Sequence, residues 1–353
     1  MRVLLVKMSS LGDVVHTLPA VVDARRHCPG LVIDWVVEEG FADIPRLHTG
    51  VDRVIPIALR RWRRSPRQSG PEFRRFVACL RAQQYDLVID AQGLLKSAAV
   101  SVLARGPVAG FDGRSAREGV ASLAYRDACA VPRGQHAVAR TRQLFASVLG
   151  YPLPAAPGEF GDLHGSALGH APDDALPQGG DASVGDRGSR EILLLHGTTW
   201  ESKEWPVTAW IELARLIAAD GFRPVVSWGD DREQRRASRI AREGGAQIQD
   251  RVGLAELIGR MRGAAGAVAV DTGLAHVAAM LGIAQVSVFG STNPRLTSPY
   301  GPAQRAIVSD HLPCIPCLRR TCKFGPDSSK IHPPCFAAAS PERVWELLKE
   351  ALP

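Results

Sequence analysis

Arg2-Val3-Leu4-Leu5-Val6-Lys7-Met8-Ser9-Ser10-Leu11-Gly12-Asp13-Val14 reads in order as a strand, a polar turn and the start of a helix that should run to about His27. The apolar run Val3–Val6 has no alternating polar face, which is the pattern of a strand covered on both sides. Leu31–Val37 and Asp52–Ile57 repeat it, Phe73–Gln83 is an amphipathic helix, and Tyr85–Asp90 is a strand ending in Ala91-Gln92-Gly93. Short buried strands separated by helices must pair in parallel, because a parallel partner needs a crossover connection. The expected fold is therefore a doubly wound α/β sheet.

The rhythm fails over 152–190, where Pro152, Pro154, Pro157, Pro172 and Pro177 stand among many glycines. Such composition reads as a linker or loose loop. Strands at Glu191–Leu195, Pro224–Ser227, Gly266–Val270 and Gln285–Phe289 then resume, with helices at Val207–Ala219, Glu233–Glu243, Leu254–Arg262 and Gly273–Leu281. The expected organisation is a domain over 1–151, a linker over 152–190, a domain over 191–340, and a closing helix over 341–353 that packs back on the first domain. A length of 353 residues suits two cores better than one.

The bulk numbers narrow the function. Apolar residues are 45% and charged residues 22%, an ordinary globular balance, with a formal net charge of +7. No signal-peptide h-region opens the chain, and Asp271 and His276 interrupt its longest apolar stretch, so the expectation is a cytoplasmic protein without a membrane span. The basic balance fits an anionic partner. Its densest cluster, Arg60-Arg61-Trp62-Arg63-Arg64, has only one aromatic for base stacking, so nucleic acid is not expected. No G-x-G-x-x-G follows a strand, which argues against a dinucleotide-dependent dehydrogenase.

In open α/β sheets, ligands bind beyond the carboxyl ends of the strands. Asp271-Thr272-Gly273-Leu274-Ala275-His276 opens a helix there, and its free amides and dipole suit a diphosphate; plain N-capping explains the same residues. His196-Gly197-Thr198-Thr199, followed by Lys203, is a second phosphate-type turn. After Trp228-Gly229, Asp230 and Asp231 look like helix-start acids, whereas Glu233 is a candidate for ribose hydroxyls. In the first domain Asp13, ahead of His16, is placed to take a proton from an acceptor hydroxyl, with Lys7, Ser9 and Ser10 around it. No D-x-D triplet occurs, so a metal-chelating donor site is not expected. Cys314, Cys317, Cys322 and Cys335 form C-x2-C-x4-C-x12-C, a spacing that suits a structural zinc or iron site or four small buried thiols.

Taken together, Met1–Pro19, Asp34-Trp35-Val36-Val37-Glu38-Glu39-Gly40-Phe41, Arg60–Arg63, Asp90–Ala98, Gln135-His136-Ala137-Val138, Trp228-Gly229 and Asp271–His276 resemble the heptosyltransferases of lipopolysaccharide core synthesis, glycosyltransferase family 9. The N-terminal motifs are most similar to the enzymes that add the first heptose. The resemblance implies a GT-B fold, two Rossmann-like domains facing across a cleft, and inverting transfer from ADP-L-glycero-β-D-manno-heptose to the inner Kdo of Kdo2-lipid A. It implies Asp13 as general base, with no cofactor needed for catalysis. Donor contacts would come from Thr198, Thr199, Lys203, Glu233, Asp271, Thr272 and Gly273, with His276 nearby. Acceptor contacts would come from Lys7, Ser9, Ser10, Gln92, Arg60, Arg61, Arg63 and Arg117. A lipid-anchored acceptor implies work at the anionic cytoplasmic face of the inner membrane. The cysteine window and the long linker depart from the pattern. A heptosyltransferase for a later core acceptor, or a nucleotide-binding protein without catalysis, are the competing readings.

Overall fold

A computed structural model describes residues 1–164, 190–309, 312–324 and 331–353. The chain divides into two units, Met1–His170 and Ala171–Pro353. Each is built on one six-stranded sheet.

In the first unit β1 (Arg2–Val6), β2 (Val32–Glu38), β3 (Arg53–Ile57), β4 (Leu87–Asp90), β5 (Val108–Phe111) and β6 (Asp127–Cys129) run in the order β3-β2-β1-β4-β5-β6, every pair parallel. The second unit repeats the arrangement. Here β7 (Glu191–Leu195), β8 (Arg223–Val226), β9 (Gln247–Ile248), β10 (Gly266–Val270), β11 (Ala284–Phe289) and β12 (Gln304–Val308) give the order β12-β11-β10-β7-β8-β9, again parallel throughout. Chain direction across each sheet reverses between the first and fourth strand of the unit. The gaps after β1 and β4, and after β7 and β10, are therefore the switch points where such sheets bind ligands.

Helices cover both faces, so the central strands are sealed. Val3, Leu4, Leu5 and Val6 of β1 and Ile192, Leu193 and Leu194 of β7 are all buried. Burial of each such side chain contributes about 1.5–3 kcal/mol. The first unit is also fastened by Arg142, whose Nε donates to Asp23 Oδ2 at 2.6 Å between helices Ala137–Leu149 and Leu18–His27. Both partners are buried, so removing either leaves an uncompensated charge, a loss of about 3–5 kcal/mol.

Three expectations need correction. The single helix from Val14 to His27 is two, Leu11–Val15 and Leu18–His27, because Pro19 has no N–H to continue the ladder and suits a first turn. Of the 152–190 linker, residues 159–164 dock on the first unit. Leu163 forms an antiparallel bridge with His48, Thr49 N donates to Asp162 O at 3.1 Å, and His164 N donates to Leu47 O at 2.8 Å. Pro172 and Pro177 lie outside the described residues. The closing helix, Pro341–Lys349, packs on the second unit: Val344, Trp345 and Leu348 join the core of Ile192 and Trp210, and Trp345 Nε1 donates to Asp220 Oδ2 at 2.7 Å. Among the described residues no helix is long and apolar enough to cross a membrane.

Candidate active site

The turn after β1 is closed by its own carboxylate. Asp13 Oδ2 accepts from Ser10 N at 2.9 Å and Ser10 Oγ at 2.8 Å, a capping box that starts the helix Leu11–Val15. Lys7 Nζ stands 3.6 Å from Asp13 Oδ1 and donates to Ala91 O, beyond β4, at 3.0 Å. Burial would raise the Asp13 pKa, but the charge of Lys7, the two hydrogen bonds from Ser10 and the charge of Arg117 outweigh it and hold the carboxyl far below its usual range.

The turn after β4 meets this one. Met8 N donates to Gln92 Oε1 at 2.8 Å, and Ser9 Oγ receives Lys96 Nζ at 3.2 Å. The turn is shaped by Asp90, buried and aimed back at the amides of Gln92 and Gly93 and at Tyr125 Oη. Gly93 has φ +66, and a Cβ there would press on Ala116 and the Arg117 amide, so the glycine lets segment 116–118 close over the turn. The fold thus gathers Lys7, Ser9, Ser10, Asp13, Gln92 and Arg117.

It does not gather the arginine cluster there. Arg60, Arg61 and Arg63 follow edge strand β3, two strands from β1, or roughly 10 Å across the sheet. Arg61 is already paired with Glu39 at 3.0 Å and Glu72 at 2.8 Å, and Arg60 lies over the Phe41 ring. Arg63 is exposed. Lys96, Asp90 and Tyr125 were not anticipated. Only the position of Lys96 in the first turn after β4 could have pointed to it.

In the second unit Lys203 Nζ, from the turn after β7, pairs with Asp271 Oδ2, after β10, at 2.7 Å. Thr292 Oγ1 donates to the same oxygen at 2.6 Å, and Thr198 Oγ1 donates to Asp271 O at 3.1 Å. Lys203 also lies 4.6 Å from the Trp200 ring centroid. Asp271 therefore anchors Lys203. Thr272 is the extended N-cap of helix Gly273–Met280, with no side-chain cap, and residues 271–274 are half-exposed. The first amides of that helix have no side-chain cap, the arrangement in which a helix N-terminus can receive an anion. His276 is buried in the first turn, and Thr199 is exposed.

Glu233 reaches across from the helix after β8, where Gly229 N donates to its Oε2 at 2.7 Å. Its carboxyl lies so close over Gly197 that a Cβ on residue 197 would overlap it. Burial pushes its pKa up. Asp230, by contrast, is a plain N-cap accepting from Arg232 N and Glu233 N, and Asp231 begins the helix. His196 is buried against Ser227 O, and burial, with the charge of Arg236, pushes its pKa down to about 4, so it stays neutral near pH 7.

Cys314, Cys317, Cys322 and Cys335 line one cavity of about 20 Å³ together with Leu312, Ile315 and Phe324. Burial and the three neighbouring cysteines push the Cys335 thiol up to about 12. Among the described residues no three His, Cys, Asp or Glu side chains are grouped as a metal-ligand set, so the sequence spacing alone does not produce one. The loop does brace the Lys203 turn: Ser202 N donates to Arg320 O at 3.0 Å, and Ser202 Oγ donates to Arg319 O.

The sequence matches the family model described as glycosyltransferase family 9 (heptosyltransferase) over residues 73–327. It is 47% identical to lipopolysaccharide heptosyltransferase 1 of Pseudomonas aeruginosa, with 100% of this chain and 98% of that one covered. Among solved structures it resembles the E. coli heptosyltransferase WaaC with ADP, at 37% identity and TM-score 0.82, over 99% of this chain and 100% of that one. The WaaC structure with ADP-2-deoxy-2-fluoro heptose gives 36% identity and TM-score 0.79, with 99% of each chain covered. Two six-stranded parallel sheets, polar groups concentrated at their switch points and full-length likeness to these enzymes lead to one assignment: the chain belongs to glycosyltransferase family 9, the heptosyltransferases.

Proposed function

We propose that this glycosyltransferase moves L-glycero-D-manno-heptose from ADP-heptose to the Kdo of Kdo2-lipid A, with inversion, at the cytoplasmic face of the inner membrane. The observation that carries the donor half is the Lys203–Asp271 pair beside the open N-terminus of helix Gly273–Met280, with Glu233 over Gly197. Full-length likeness to an enzyme named for the first heptose transfer supports the acceptor over later core sugars.

In this reading the first unit, over about 1–151, holds the acceptor and the second, over 191–340, holds the donor. Asp13 takes the proton of the acceptor hydroxyl as that oxygen bonds to the anomeric carbon. The bond to the diphosphate breaks, and its electron pair leaves on the ADP oxygen. Lys203 and the amides of Thr272 and Gly273 meet the charge on that leaving group, the place where fixed positive charge lowers a barrier most. Asp13 is a weak base at rest, because Lys7 and Ser10 stabilise its ionised form. The same contacts favour the ionised, proton-accepting form and fix its position. Glu233 binds the ribose hydroxyls, and Arg117 and Lys7 meet the acceptor's acidic groups. Mass spectrometry of the product from Kdo2-lipid A and ADP-heptose tests the reading; no mass gain of one heptose would overturn it.

No divalent cation enters this chemistry, so turnover should persist in EDTA. A structural zinc or iron at Cys314, Cys317, Cys322 and Cys335 remains part of the proposal, supported by four thiols sharing one cavity. They would have to close on the ion and give up protons to it. Elemental analysis of purified protein should then find about one metal per chain, falling in Cys322→Ser together with thermal stability. A metal-free, equally stable protein would reduce the cluster to ordinary buried thiols.

A further inference from the structure

Beside the Asp13 turn the first unit carries apolar surface that nothing in the proposed chemistry uses. On helix Leu95–Leu103 the exposed residues Leu95, Ala99 and Val102 recur at helical spacing on one face. The 3-10 turn Gly119–Ala124 packs alongside and exposes Val120 and Leu123, one turn apart on the same edge. Leu123 is 85% exposed and Val120 63%, against 54% for Val102 and 53% for Leu95. Single exposed leucines are ordinary, but a cluster of large apolar side chains on two adjoining elements marks a binding surface.

The surroundings identify the partner by charge. Lys96, Arg105, Arg114, Arg117 and Arg126 are all exposed within or next to these two elements. Of the nearby carboxylates, Asp112 accepts from the Ser115 amide at 2.8 Å and Glu118 from the Leu95 amide at 2.7 Å. Arg133 and Arg140 add to the same edge by donating to the carbonyls of Ala116 and Ser115. Among the described residues none of Arg117, Arg133 and Arg140 has a carboxylate at ion-pair distance, and burial together with the charges of the other two lowers the Arg140 pKa. Three guanidiniums held close, with Asp13 the one carboxylate whose charge Arg117 is seen to affect, leave this edge with an excess of positive charge. Apolar side chains ringed by such cations match the boundary between acyl chains and anionic headgroups.

We infer that the face formed by Leu95, Ala99, Val102, Val120 and Leu123, rimmed by Lys96, Arg105, Arg114 and Arg126, seats the protein on an anionic phospholipid bilayer. The inference rests on the acceptor being lipid-borne and adds which surface meets the lipid. Continuity supports it: Lys96, next to Leu95, donates to Ser9 Oγ at 3.2 Å, so the lipid-facing edge and the catalytic turn share a boundary. A hydroxyl on a membrane-anchored sugar would then reach Asp13 without leaving the headgroup layer.

The test is sedimentation with vesicles of phosphatidylethanolamine and phosphatidylglycerol, without acceptor, against phosphatidylcholine vesicles. Wild type should pellet with the anionic vesicles, less so as salt rises. The double variant V120D/L123D should lose about tenfold or more of that binding, since it places two charges where apolar contact and anionic lipid are required. Its turnover on a deacylated, water-soluble Kdo acceptor should equal wild type, and turnover on vesicle-borne acceptor should fall by about the loss in binding. L123S, at a site already open to solvent, repeats the comparison should the double variant misfold. Equal pelleting of variant and wild type, equal binding to both vesicle types, or a wild-type dimer that the variant converts to monomer would each overturn the inference. Failure of the functional reading looks different: wild type would transfer nothing to the soluble acceptor, whatever the vesicles show.

Discussion

The two switch points contain the same pair of residues used in opposite ways. After β1, Lys7 and Asp13 stand 3.6 Å apart with side-chain exposures of 10% and 29%; after β7, Lys203 and Asp271 stand 2.7 Å apart with 16% and 10%. In the first pair the lysine is the inner member, tied to Ala91 O, and the carboxylate is offered outward. In the second the carboxylate is the inner member, tied to Thr292 Oγ1, and the lysine is offered outward. One fold thus presents a carboxylate at one switch point and an ammonium at the other, as the proposed roles of base and leaving-group partner require. The difference lies in exposure: Asp13, although capped by Ser10, is the more open member of its pair, whereas Asp271 is the more covered member of its own.

Asp13→Asn should break the first pair where it acts, lowering kcat by about 10²–10⁴-fold with little change in donor affinity. Circular dichroism must accompany the assay, since Asp13 also starts a helix. Near-normal kcat in a folded variant would remove Asp13 from the reaction. Lys203→Ala should cost about 10²–10³-fold in kcat, as the loss of one fixed charge at a leaving group does. Asp271→Asn, which keeps the lysine but releases its anchor, should cost less than Lys203→Ala and raise the KM for the donor. An Asp271 variant worse than the Lys203 variant would mean that the carboxylate itself contacts substrate.

Lys7→Met sharpens the comparison at smaller amplitude. In wild type the Asp13 carboxyl is depressed, so any stability or activity tied to its charge is full above the ordinary carboxylate range and is lost only as pH falls through the lowered value. Without Lys7 the burial that remains pushes the pKa upward. The acid limb of kcat/KM should therefore move to higher pH, with a modest loss at neutral pH. An unmoved acid limb would show that Lys7 does not set the charge on Asp13.

Much of the scaffold was legible because short apolar runs bounded by Gly, Pro and polar turns leave little choice. Glu191–Leu195, Gly266–Val270 and Val207–Ala219 match the expected bounds. The Asp13 turn was legible for the same reason, since it follows an unmistakable strand. Pairings across the sheet were not. The tie between Asp271 and Lys203 was hidden because the two are distant in sequence, and only the β7–β10 neighbourhood reveals that they are paired. Arg61 looked free because its partners, Glu39 and Glu72, come from other elements. The Pro/Gly-rich stretch looked loose by composition, yet the backbone of Asp162 and His164 finds partners beside His48.

The close approach of Glu233 to Gly197 ties two distant positions into one unit of variation. A methyl group at 197 leaves no room for the glutamate, while shortening the acid to aspartate opens space that nothing fills. Each change alone should damage nucleotide recognition, and Gly197→Ala with Glu233→Asp should recover part of what either loses. A lineage could cross from one pairing to the other only through a handicapped intermediate, so these two codons should drift together or not at all.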